Sequence, residues 1–172
     1  MSAFTAHAMS TARLDLLPLL VEHAEEMATV LSDPALHTFI GGTPDTLEAL
    51  RSRYQRMTAG SPDPTVSWLN WVIRVRDEAC LTGTVQATIT PSSHDPVAEI
   101  AWVVGTAWQG RGIATEAARG LVEWLSRQRV QTVIAHIHPE HQASAAVATA
   151  AGLTPTDEWH EGEARWSRSI GR

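Results

Sequence analysis

The chain contains no lysine: all thirteen of its basic residues are arginine. No lysine side chain can therefore be modified by the protein's own chemistry. Its single cysteine, Cys80, has no partner for an intrachain disulfide. Tyrosine is equally scarce, with Tyr54 alone, and two phenylalanines stand against seven tryptophans. No apolar run approaches the roughly 18–20 residues of a membrane span. The start, MSAFTAHAMSTA, lacks both the basic n-region and the apolar core of a signal peptide, so a cytoplasmic location is expected. A formal charge of −6 argues against a partner held by phosphate neutralisation and suits a cationic one better. Neither nucleic acid nor membrane is expected as a partner, and the protein is expected to be a monomer or homodimer.

What is present is ordinary for a folded domain: 44% hydrophobic and 19% charged residues over 172 positions, enough for one domain, 1–172, with its own core. Alternation predicts strands at 12–20, 68–76, 80–90, 97–104 and 131–138, with two short ones near 154–159 and 163–169. Helical spacing predicts helices over 21–33, 45–57, 112–128 and 142–151, the second capped by Asp45 or Thr46. The third is the strongest: Ile113, Ala117, Leu121 and Leu125 recur every fourth residue, with Glu116, Arg119, Glu123 and Arg127 opposite. Strands 68–76 and 80–90 should form a hairpin around RDEA. The expected fold class is a mixed α/β (α+β) fold, a sheet of about six to seven strands flanked by about four helices.

The stretch VVGTAWQGRGIATEA sets a glycine-rich turn between a buried strand and a helix N-terminus. Glycine allows close backbone approach, and the helix start offers unpaired N–H groups, so such a loop suits phosphate. The lysine and Ser/Thr of a Walker loop are missing, and the dinucleotide fingerprint G-x-G-x-x-G is not matched. Gln109-Gly110-Arg111-Gly112-Ile113-Ala114 resembles the Q/R-x-x-G-x-G/A signature of the GCN5-related N-acetyltransferases (GNAT), whose loop binds the acetyl-CoA pyrophosphate. Downstream, HPEHQASAAVATAAGL resembles the family's second block, in which Asn and then Ser precede a helix ending in Gly-Phe. Within the family the chain looks closest to the ribosomal-protein-alanine (RimJ/RimL-like) branch.

That resemblance implies a GNAT fold over nearly the full chain, with acetyl-CoA or another acyl-CoA as co-substrate, an amine acceptor and no metal. It implies that backbone groups of Trp102, Val103 and Val104 hold the pantetheine arm. It also implies that the amides of Gln109, Gly110, Arg111, Gly112, Ile113 and Ala114 hold the pyrophosphate, with the Arg111 side chain either adding charge or standing as an exposed surface arginine. Acyl transfer requires a neutral amine, so a carboxylate base is useful. Glu99, inside the apolar strand VAEIAWVV, is the candidate, with a pKa raised by desolvation or, alternatively, a structural ion pair. The second block departs from the pattern: His141 replaces asparagine, and Ala148 stands where many relatives carry a tyrosine that protonates the leaving thiolate. Ser144 can bond the thiol sulfur or pantetheine, or simply cap a helix. Segments 37–46 and 156–166 are expected to shape the acceptor pocket, and Asp157, Glu158, Glu161 and Glu163 would favour a cation or, alternatively, form a solvated acidic hairpin.

Residues 135–142, AHIHPEHQ, also resemble the H-x-H-x-E-H zinc run of the metallo-β-lactamase superfamily. A zinc hydrolase built on His136, His138 and His141 would draw further ligands from downstream, where only His160 remains, and would leave the glycine loop unexplained. In the acetyltransferase frame His136 and His138 share one strand face, able to relay a proton or to pack as core histidines. His141 would meet pantetheine. A non-catalytic acyl-CoA-binding module is the other alternative: the absent tyrosine favours it and Glu99 opposes it.

Overall fold

The computed structural model describes residues 4–39, 41–92 and 95–170; Ile40, in the expected acceptor-side segment, lies outside them. The seven strands expected from alternation all form: β2 (Leu14–Pro18), β3 (Ser67–Val75), β4 (Cys80–Thr90), β5 (Val97–Val104), β6 (Thr132–Ile137), β7 (Thr154–His160) and β8 (Glu163–Ser169). An eighth, β1 (Met9–Ser10), pairs with Leu16 and Asp15, and two residues are too few for any period to show. One sheet runs β1-β2-β3-β4-β5-β6-β8-β7, antiparallel throughout except between β5 and β6. The RDEA hairpin is present, with Ala79 at positive φ in the turn.

Helices α1 (Ala24–Val30), α2 (Leu47–Ala59), α3 (Ile113–Ser126) and α4 (Gln142–Ala150) cover the two faces. The first is shorter than expected, because Val21–His23 is a 3-10 turn in which the His23 ring accepts a hydrogen bond from Leu20 N–H (2.9 Å). Thr46 is the cap of α2, its hydroxyl accepting from Ala49 N–H (3.1 Å). On one face, Leu16, Trp71, Ile73, Val85 and Ile100 pack against Ile113, Ala117, Leu121 and Leu125 of α3 and Val147 of α4. At about 1.5–3 kcal/mol for each fully buried large aliphatic side chain, this layer dominates the stability. A smaller cluster on the other face joins Val72 and Leu81 to Met27 of α1 and to Leu50 and Tyr54 of α2.

Directly paired residues share a face, so Val72, Thr84 and Val103 lie under α1 and α2. Glu99 and Ala101 project on that same side but are exposed, because the α1–α2 layer stops short of them. The parallel pairing of β5 with β6 covers only Val97–Thr132, Ala98–Val133 and Glu99–Ile134. Beyond Glu99 the strands part. The β5 main chain from Ala101 to Val104 is thus laddered to β4 but not to β6, and a fork opens toward α3 and α4.

Candidate active site

The fork leads into a cavity of about 650 Å³. Its walls gather residues from three distant stretches: Trp102, Val103 and Val104 from β5; Gln109, Gly110, Gly112, Ile113 and Ala114 from the glycine turn; His141 and Ser144 from the start of α4. Leu36, Thr38 and Phe39 of the α1–α2 connection close the remaining side.

The turn takes its shape from its sequence. Gly110 and Gly112 adopt φ of 79° and 77°, the left-handed region that costs an L-residue roughly 1–2 kcal/mol. Gly112 is the N-cap of α3, with no side chain satisfying the first-turn amides. The N–H groups from Gly112 to Thr115 therefore face the cavity end of a 14-residue helix with its partial positive charge. Gln109 has a structural part: its Nε2–H donates to the Val104 carbonyl (3.0 Å), pinning the turn to the end of β5.

The Arg111 side chain takes the second of its two expected places, on the surface. It is not in the cavity wall: its guanidinium pairs with Glu78 (2.6 Å) and lies over the Trp108 ring (4.9 Å). Arg13 braces the turn instead, donating to the Arg111 carbonyl (2.8 Å) and pairing with Glu116 of α3 (2.7 Å). Glu116 also accepts from the Thr11 hydroxyl and from Arg13 N–H. Burial opposes its ionisation, but these hydrogen bonds prevail and hold its carboxyl below the usual glutamate range. Nothing local marks Arg13, because its partners lie about a hundred residues further along the chain.

At the opposite wall His141 stacks on Phe39 (centroids 4.5 Å, 15° between planes), and its Nε2 lies 3.3 Å from Ser144 Oγ. Neither side chain caps α4. Burial, reinforced by the neighbouring His138, lowers the His141 pKa, so the ring is neutral near pH 7. Ala148 is fully buried and lies off the cavity wall, and Tyr54 is buried in the α1–α2 cluster. Cys80 sits at the start of β4 beside Glu78, outside the cavity.

Glu99 is the last residue of β5 paired to β6, at the root of the fork, and it does not line the cavity. Its side chain is 49% exposed, so the expected desolvation is absent: the alternation that places it on the strand's apolar-looking face aims it where no helix covers the sheet. Its Oε2 lies 3.0 Å from His136 Nδ1, and His136 Nε2 accepts from Arg165 Nε–H (3.0 Å). The three histidines of the zinc-hydrolase alternative do not converge: His136 is engaged by Glu99 and Arg165, while His138 and His141 flank Phe39. No group of three or more His, Cys, Asp or Glu among the described residues is arranged to hold a metal. Of the strand tryptophans, Trp71 is core, Trp102 lines the cavity and Trp68 is exposed.

A sheet forked between two parallel strands, with a glycine-turned helix N-terminus at the mouth of the fork, is the architecture of a CoA-dependent acyltransferase. The acetyltransferase (GNAT) domain model matches residues 13–154, well over half of the chain, and the protein belongs to that family. It is an N-acetyltransferase with acetyl-CoA as its co-substrate. No curated protein matches the chain by sequence. Among solved structures, a GNAT-family acetyltransferase from Bacillus anthracis is 18% identical with a TM-score of 0.80, covering 95% of this chain and 99% of its own. RimL, a ribosomal L7/L12 alpha-N-protein acetyltransferase in complex with coenzyme A, is also 18% identical, with a TM-score of 0.77 and coverage of 95% and 98%. The microcin C7 self-immunity acetyltransferase MccE, in complex with acetyl-CoA and AMP, is 17% identical, with a TM-score of 0.74 and coverage of 92% and 93%. These likenesses are of fold.

Proposed function

We propose that the protein transfers the acetyl group of acetyl-CoA to a primary amine, a protein N-terminus or a small-molecule amine, by direct attack in a ternary complex. The observation that carries this reading is the fork itself, the gap left between β5 and β6 beyond Glu99. Its cavity side, with a β5 edge unpaired toward β6 and uncapped α3 amides, suits pantetheine and pyrophosphate. Its other side presents Glu99 on an uncovered face, where an amine can approach.

Glu99 acts as the base, taking a proton from the acceptor ammonium. The neutral nitrogen then attacks the thioester carbonyl carbon, a C–N bond forms and the C–S bond breaks; the nitrogen's second proton ends on the departing thiolate, so the products are amide and free thiol. Ser144, which lines the cavity and lies 3.3 Å from His141 Nε2, is taken as the hydroxyl that donates a hydrogen bond to that sulfur. It replaces the absent tyrosine, and a thiol of pKa about 8.5 asks little of its acid. The position of Cys80 away from the cavity supports direct transfer over a cysteine-bound acyl intermediate.

The test is thiol release from acetyl-CoA against a panel of peptides with free N-termini, amino acids, polyamines and amine-bearing antibiotics. Turnover with at least one amine is expected, falling about 100-fold or more in Glu99→Gln with acetyl-CoA affinity unchanged. An unchanged rate in that variant removes Glu99 as base. Tight CoA binding without turnover on any amine favours the non-catalytic binding module.

A further inference from the structure

We infer that His136 is a positioning residue for Glu99, holding one carboxylate oxygen through a tautomer that Arg165 dictates. The inference rests on the reading of Glu99 as base and adds the device that aims it. Sheet register supplies the parts: His136 on β6 is the direct partner of Arg165 on β8, and β5 meets β6 at Glu99–Ile134, two residues from His136 on the same face. Arginine can only donate, so the bond from Arg165 Nε–H obliges His136 Nε2 to accept. The ring's proton then resides on Nδ1, 3.0 Å from Glu99 Oε2, and is donated there.

The His136 ring is held from other directions as well. Its side chain is only 6% exposed, and the His160 ring of β7 lies over it at 4.8 Å. Arg165 is itself anchored by Glu158 of β7 (3.6 Å). Arginine, histidine and glutamate thus form a chain across β8, β6 and β5, each member fixing the next. With Oε2 occupied, Oε1 is the oxygen left to receive the acceptor's proton. His136 neither gains nor loses a proton in that step: the ammonium becomes an amine and Glu99 becomes a carboxylic acid, which returns its proton to solvent across the exposed face.

Two measurements test the inference. The first needs no acceptor: imidazole ¹⁵N shifts of the unliganded protein, with His136 assigned through its loss in His136→Asn. Nδ1 should resonate as the protonated nitrogen and Nε2 as the bare one; a proton on Nε2 overturns the proposal. The second is kinetic, using acetyl-CoA and the fastest acceptor of the amine panel. His136→Leu keeps bulk without a donor and should lower kcat about 10- to 100-fold, with KM for acetyl-CoA within about twofold. His136→Asn, whose amide can donate where Nδ1 did, should recover most of that loss. In a Glu99→Gln background the leucine substitution should cost almost nothing more. Full rate in Glu99→Gln sinks the base assignment itself. A slow Glu99→Gln beside a fully active His136→Leu, or beside a His136→Asn no better than leucine, sinks the positioning role alone.

Discussion

Tyr54 is only 3% exposed in the cluster beneath α1 and α2, and its hydroxyl finds no hydrogen-bond partner among the described residues. Desolvation pushes its pKa up to about 12, so at neutral pH it remains a phenol and takes no part in proton transfer. An unpartnered buried hydroxyl costs about 1–3 kcal/mol relative to a bonded one, whereas an apolar atom in its place costs nothing of that kind. Tyr54→Phe is therefore expected to leave stability unchanged or raise it by about 1 kcal/mol, read as an equal or higher urea midpoint at constant m-value. A marked loss would reveal a partner for the hydroxyl. Gly83 shows the opposite sensitivity. A Cβ there would stand 2.1 Å from the Val103 carbonyl oxygen, a backbone atom in the strand that borders the cofactor cavity. Gly83→Ala must push β4 from β5, at roughly 1–3 kcal/mol or more, and a lower urea midpoint should be accompanied by weaker CoA binding.

At the scale of elements, the N-terminus of α3 and the entry to α1 each make a distinct prediction. A Cβ on Gly112 would meet only the flexible Arg13 guanidinium, at 3.4 Å, so crowding is not the obstacle; the positive φ is. Gly112→Ala should cost about 1–2 kcal/mol through that strain and, by reorienting the amides of the turn, raise the Kd for CoA, measurable by titration calorimetry. The second prediction concerns acid. Burial lowers the pKa of His23 despite the opposing Glu22 and Glu26, and burial with His138 lowers that of His141. Both rings are held neutral in the folded state while the unfolded chain protonates near pH 6.5, so folding binds fewer protons below that value. Stability should hold above about pH 6.5 and fall as pH drops below it, before the carboxylates begin to titrate. Urea midpoints at pH 5.5 and 7.5 should differ accordingly, and His23→Gln should narrow the gap; a midpoint that did not fall at pH 5.5 would contradict it. Such elements were largely legible in sequence, because α3 and the strands carry their period over many residues and Thr46 is a local cap. The 3-10 turn at Val21–His23 and the two-residue β1 were not, since neither is long enough to repeat.

Over the whole molecule, legibility divides along the same line. The glycine turn and the Ser144 block are contiguous in sequence, and the structure brings both to one cavity. The exposure of Glu99, the Arg165–His136–Glu99 chain and the Arg13 brace depend on sheet register and on where α2 ends, and no period carries that information. The side chain of Arg111 stayed undecided for the same reason: its partner, Glu78, comes from a turn 33 residues earlier. The fork joins these parts, because β5 borders the cavity beyond its branch point and carries Glu99, the proposed base, at it. Acetyl-CoA, in the proposed site between β5 and the starts of α3 and α4, should bind the folded chain and not the unfolded one. At 100 times Kd it should add about 2.7 kcal/mol and raise Tm by roughly 5–10 °C for a chain of this size. Glu99→Gln should keep that shift in full, because Glu99 is outside the cavity, whereas Gly112→Ala, at the same acetyl-CoA concentration, should show a smaller one. The Glu99 variant losing the shift along with turnover would place the carboxylate in cofactor binding and take the base role from it.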